Sequence, residues 1–181
     1  EVAEREPLRL TQVPGIGPKR ARLIAQCLSE QKSARDAARF LQEQGIGGSQ
    51  AVRLFRRYGA ETEALVREDP YRLVRDMPAI GFALADGMAM GLGVAPTAAI
   101  RTRSAFVHLL TEAAARGECG QPIPVLLDGA EYLLRLRRQQ IEAALGDAVD
   151  QGDVVVCDVD GQACAFTAAI HADEDYIAAR L

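Results

Sequence analysis

The sequence predicts a mainly α protein whose C-terminal part is a small α+β domain with one β-hairpin. Three observations carry this. Of 181 residues, 49% are hydrophobic, yet only 5% are aromatic and none is Trp, the composition of a helical core rich in alanine and leucine. Apolar residues recur at helical spacing along most of the chain, and three related glycine-containing turns interrupt them. Strand character is confined to Val154-Val155-Val156-Cys157 and Ala163-Cys164-Ala165-Phe166, which flank Asp160-Gly161, a strong two-residue hairpin turn.

The first turn lies in Val13-Pro14-Gly15-Ile16-Gly17-Pro18-Lys19-Arg20-Ala21-Arg22-Leu23-Ile24. Gly15 and Gly17 permit a short turn with positive φ and a close backbone approach, while Ile16 plugs it into a core. Pro18 suits the first position of a helix, where its missing N–H has no partner to lose. The free amides of that first turn, at the positive end of the helix dipole, form a site for an anionic oxygen, and Lys19 and Arg20 add charge there. Ala21, Ile24, Ala25 and Leu28 predict a helix over 18–30. Ala37, Phe40 and Leu41 predict another over 33–44.

The second turn, Gly45-Ile46-Gly47, follows the first by 30 residues and aligns Ala51 on Ala21 and Leu54 on Ile24. Gly48, Ser49 and Gln50 replace Pro18, Lys19 and Arg20, so Ser49 brings a hydroxyl but no charge sits on the turn, and Arg53, Arg56 and Arg57 follow on a helix to Tyr58. Weaker phosphate contact is expected there. Asp69-Pro70 opens the next helical segment, with Asp69 as cap and Pro70 in the first turn. The third turn, Met77-Pro78-Ala79-Ile80-Gly81, has Ala79 where the first glycine belongs and no basic residue nearby, so Ala79 and Gly81 form a weaker, structural hairpin.

Punctuation over Gly91 to Pro96 predicts a boundary, giving domains of 1–96 and 97–181. The second should hold helices over 97–116, 125–136 and 138–151, the last with an apolar stripe of Ile141, Ala144, Leu145 and Ala148, then the hairpin and a closing helix over 168–181. Helices followed by a β-hairpin are the order of a winged helix. Charge divides along the same line: residues 1–60 hold 11 Lys or Arg against 6 Asp or Glu, whereas residues 120–170 hold 3 against 8. Phosphate attraction dominates DNA affinity, so the second domain should repel a duplex and serve packing or protein contact.

The turns with their following helices resemble the helix-hairpin-helix family of DNA-binding motifs, which makes the first domain a tandem helix-hairpin-helix domain. Together with Tyr58-Gly59, Asp69-Pro70-Tyr71-Arg72-Leu73, the segment Ile80 to Asp86 and the helix-plus-wing order, the chain resembles the N-terminal region of RecD/TraA-family bacterial DNA helicases in their long form. That resemblance implies a parent motor using ATP and Mg²⁺ to move 5′ to 3′ along single-stranded DNA in repair or recombination. It also implies contact with the parent's own motor domains. Single-stranded or forked DNA is the implied ligand, and the residues placed on it are Gly15, Ile16, Gly17, Lys19, Arg20, Gly45, Gly47, Gly48, Ser49 and Arg53.

No phosphate loop of the form G-x-x-x-x-G-K-[ST] occurs, so the chain itself carries no cofactor and no catalytic residue. A start at Glu1 is expected of a fragment. The four cysteines have no CxxC spacing and only His108 and His171 accompany them, which argues against zinc; His108 sits on an apolar helix face as a structural histidine. No membrane span or secretory signal is visible, so a cytoplasmic protein is expected. A scaffold or protein-interaction module remains the alternative, while a stand-alone nuclease or glycosylase lacks clustered carboxylates or a poised lysine.

Overall fold

The structure, a computed structural model, describes residues 7–77 and 79–180. Residues 1–6 of the expected first domain, Pro78 of the third turn and Leu181 of the closing helix lie outside them. Contacts gather the chain into two compact units, Glu1–Pro70 and Tyr71–Leu181. This division falls ahead of the expected boundary at 96/97, because Tyr71, Phe82, Ala85 and Ala89 share one core with Phe106 and Leu126.

The first unit opens with a 3-10 helix over Pro7–Gln12, followed by the first hairpin and a single helix, α1 (Pro18–Glu43). One helix of 26 residues thus replaces the two expected. Nothing between Glu30 and Ser33 breaks a helix, since Gln31 and Lys32 are good helix formers and no Gly or Pro intervenes. Ala21 and Ala25 are buried near the start of α1, and Ala37, Phe40 and Leu41 near its end, whereas every residue from Gln26 to Lys32 is exposed. Helix α2 (Gly48–Tyr58), a 3-10 turn over Gly59–Glu61 and α3 (Thr62–Glu68) complete the unit and lie against α1. Arg67 of α3 places its guanidinium 4.8 Å from the Phe40 ring centre.

The second unit holds α4 (Arg72–Asp76), α5 (Phe82–Gly91), α6 (Ala99–Ala115), α7 (Ile123–Leu134), α8 (Arg138–Asp150) and α9 (Ala168–Ala178). Asp69 does not cap α4: it closes α3, and Tyr71 occupies the N-cap position. Strands β2 (Val154–Val159) and β3 (Gln162–Thr167) pair antiparallel with Val159 opposite Gln162, and positive φ at Asp160 and Gly161 closes the hairpin as expected. The sequence reading missed β1 (Gln121–Pro122), which pairs with β3 to give a three-stranded sheet in the order β1-β3-β2. Pro122 is tolerated because β1 is an edge strand. Gly120 precedes it because a Cβ there would enter the Phe166 ring.

One polar cluster ties this unit together. Arg101 on α6, 7% exposed, makes a two-pronged ion pair with Asp86 on α5, Nε to Oδ1 and Nη2 to Oδ2, each at 2.8 Å. Its Nη1 donates to the carbonyls of Pro96 at 2.9 Å and of Leu134 at 3.2 Å, while the Tyr71 hydroxyl donates to Asp86 Oδ1 at 2.6 Å. Burial pushes the Asp86 carboxyl up, but hydrogen bonds from Arg101 and Tyr71 and the guanidinium charge outweigh it, leaving the carboxyl below the usual range. Hydrogen bonding to Asp86 likewise holds Arg101 above its ordinary value.

Candidate nucleic-acid interface

The three turns share one construction. Each ends in a glycine, Gly17, Gly47 or Gly81, that stands at the N-cap of the next helix in extended conformation and makes no side-chain cap. The helical ladders open with the Ala21 amide donating to Gly17, the Ala51 amide to Gly47 and the Ala85 amide to Gly81, at 2.9, 2.9 and 3.3 Å. Earlier amides of the first two turns therefore face away from the helix, whereas at the third the Leu84 amide also donates to Gly81, at 3.2 Å. Between the glycines, Ile46 and Ile80 are buried and Ile16 is half-buried, so the plug role assigned to Ile16 recurs in all three.

The first glycines are demanded by conformation. Gly15 has φ +89° and Gly45 φ +83°, where an L side chain is strained. Around Gly45 the Ile46 amide donates to Leu41 and the Gly45 amide to Gln42, both at 2.9 Å, a Schellman ending that stops α1. Gly17 and Gly47 differ: their φ values of −82° and −64° suit any residue. A Cβ at Gly17 would meet nothing within 4 Å, and one at Gly47 only the Gln50 Oε1 at 3.9 Å. The expectation that Gly17, like Gly15, serves a positive φ is thereby corrected: strain belongs to Gly15, open space to Gly17. As caps, Ser, Asn or Asp would serve at least as well as glycine. Glycine instead leaves the amides bare and uncharged at the point where an anion would lie.

Charge surrounds the two exposed hairpins unequally. Lys19 and Arg20 are exposed beside the first, but the Arg20 Nη1 donates to the Gly15 carbonyl at 3.2 Å and braces the turn. An open hollow of about 470 Å³ is lined by Lys19, Arg20, Arg22, Leu23 and Gln26. Sequence reasoning missed Arg22 as part of this face. Its spacing three residues after Lys19 was the available signal. Gly48 and Ser49 are exposed at the second hairpin and Arg53 one turn further along α2. At the third, Ala79 is exposed, and Phe82 behind it is buried, its ring 5.6 Å from Tyr71 and 5.2 Å from His108. His108 also lies 3.6 Å from Glu112, in a packed setting like that expected.

Residues 1–30 match the SAM-like helix-hairpin-helix tandem, and residues 30–120, half of the chain, match the ATP-dependent RecD2 DNA helicase HHH domain. The chain belongs to the RecD2 helix-hairpin-helix family. It is thus a helix-hairpin-helix region of a RecD-type helicase, an accessory region whose ligand is DNA. The two matches meet at residue 30, within the exposed middle of α1.

On the second unit, the basic start of α8 is occupied. Arg138 is engaged by Asp128, Glu131 and Glu142 together. Asp147 and Asp150 are exposed further along the same helix. Among the described residues, no helix is long and apolar enough to cross a membrane.

Proposed function

We propose that this RecD2 region holds the DNA backbone without reading sequence, through the amides of the Gly15–Gly17 and Gly45–Ser49 hairpins supported by Lys19, Arg20 and Arg53. The observation that carries the reading is the second glycine of each exposed hairpin. Neither conformation nor a neighbouring atom in the described chain requires it, whereas a phosphate lying on the amides does.

The ligand in this reading is forked DNA presented to a motor that moves 5′ to 3′ in repair or recombination, in the cytoplasm, with ATP and Mg²⁺ bound by the motor domains. The Tyr71–Leu181 unit, read as winged-helix-like from its helix and strand order, contacts protein, its own motor domains included. Its acidic surface and the 89% exposed Tyr132 suit that role better than a phosphate backbone does.

The test is a salt series. Each neutralised phosphate contributes about −0.9 to the slope of log K against log salt on duplex DNA. Lys19→Ala with Arg20→Ala should flatten that slope by one to two such increments, by fluorescence anisotropy with one labelled oligonucleotide. An unchanged slope and affinity would move the function to a protein scaffold.

A further inference from the structure

The two exposed hairpins sit at opposite ends of one helix. Hairpin one immediately precedes Pro18 and hairpin two immediately follows Glu43, so α1 separates them by its own length, about 39 Å for 26 residues at 1.5 Å each. No other described element of the first unit touches the middle of α1 closely enough to bury a side chain between Gln26 and Lys32. The separation is therefore set by helix geometry alone.

The helical phase along α1 is equally informative. Lys19, Arg22 and Leu23 each precede by 18 residues one of Ala37, Phe40 and Leu41, the side chains buried toward the second hairpin's helices. Eighteen residues are five turns at 3.6 per turn, so the basic hollow faces the same side of α1 as the second hairpin's module. Ala21, buried against the first hairpin, precedes by the same interval Arg39, whose side chain is 74% exposed. The first hairpin's own core thus lies on the other side of the helix, leaving its cations directed toward the second module.

We infer that α1 is a spacer that sets the two hairpins on backbone phosphates about one helical turn of duplex apart. The inference rests on the DNA-backbone reading above and specifies its ligand as a duplex arm. B-DNA advances about 3.4 Å per base pair, so about 39 Å spans roughly 11 base pairs, close to the repeat that returns a duplex to the same face. A rigid helix matched to a rigid ligand gives a sharp length requirement; a flexible single strand imposes none. The aromatic inventory agrees. Sequence-tolerant single-strand binding relies on exposed rings that stack on bases. In the first unit's described residues the aromatic side chains are Phe40, buried, and Phe55 and Tyr58, half-buried.

The experiment is an anisotropy series with the full chain on blunt duplexes from about 6 to about 18 base pairs and single strands of equal length, corrected for overlapping sites. Affinity for duplexes should rise roughly tenfold or more near about 11 base pairs and then level, as expected when a second weak contact becomes intramolecular. Seven helix-forming residues inserted between Ser29 and Glu30 add about 10.5 Å, about three base pairs, with little rotation of the second module, and since the duplex has turned by roughly a third of a turn over that distance the rise should be lost. Five inserted residues rotate the second module by about 140° and should abolish the rise. Circular dichroism confirms that each insertion folds. Independently of any insertion, Lys19→Ala with Arg22→Ala should reduce affinity for the longest duplex to that for the shortest. A rise that ignores both insertions, or no rise in the unaltered chain, overturns the spacer. Absence of binding at every length, duplex and single-stranded, overturns the DNA-backbone reading itself.

Discussion

Arg101→Met is expected to lower the stability of the Tyr71–Leu181 unit by about 3–5 kcal/mol, the usual result of removing one partner of a buried ion pair. Asp86 would be left with only the Tyr71 hydroxyl, and the carbonyls of Pro96 and Leu134 would lose their donor. In thermal unfolding this is a fall of roughly 10 °C or more. The double variant Asp86→Leu with Arg101→Met should recover much of the loss, since apolar replacement of a whole buried pair is often neutral or stabilising. The cluster also fixes a pH dependence. Asp86 has its folded pKa depressed below the unfolded value of about 3.9, so its stabilisation is present in full above that value and is lost as pH falls through the folded pKa. Urea unfolding from neutral pH down to about pH 2 should show a steeper acid loss in the unaltered chain than in the double variant. Parallel curves would contradict that role for Asp86.

Gly17→Asp with Gly47→Asp is expected to leave the melting temperature unchanged or raised, because Asp caps a helix at least as well as glycine, and to reduce DNA affinity about tenfold or more, the scale of losing bonds from amides to an ionised oxygen at both hairpins. Extended φ and open space around both positions protect the fold, while the added side chains cover the amides. Gly15→Val provides the opposite pattern. At φ +89° it should destabilise the turn by about 1–2 kcal/mol before any ligand is considered. Equal affinity loss and equal destabilisation in the two sets would make the hairpins structural turns.

The hairpins were legible because the repeat places glycine, isoleucine and alanine at the same offsets, and each residue type answers a separate physical demand. The hairpin strands were legible because Asp160-Gly161 suits only a narrow set of turns. The continuity of α1 was not. Its apolar positions change phase between Leu28 and Ala37, and a phase change in one helix with two different seats looks like two helices. Strand β1 was hidden by its two residues and by Pro122, and its signal, Gly120 against Phe166, exists only once the chain is folded. Asp86 and Arg101 carry no spacing that reveals them, since they come from different helices. The bracing of the first turn by Arg20 was likewise invisible, because a cation beside an anion site reads the same whether it meets the ligand or the turn's own carbonyl.

Backbone amide chemical shifts of the ¹⁵N-labelled chain, titrated with a duplex of about one helical turn, test the gripping of phosphate by these hairpins most directly. The amides of Gly17, Lys19 and Arg20 and those of Gly47, Gly48 and Ser49 should move together and saturate at one concentration. Those around Ala79 and Gly81 and those along α8 should stay in place. Shifts confined to the Tyr71–Leu181 unit, with both hairpins unmoved at saturating DNA, would contradict it.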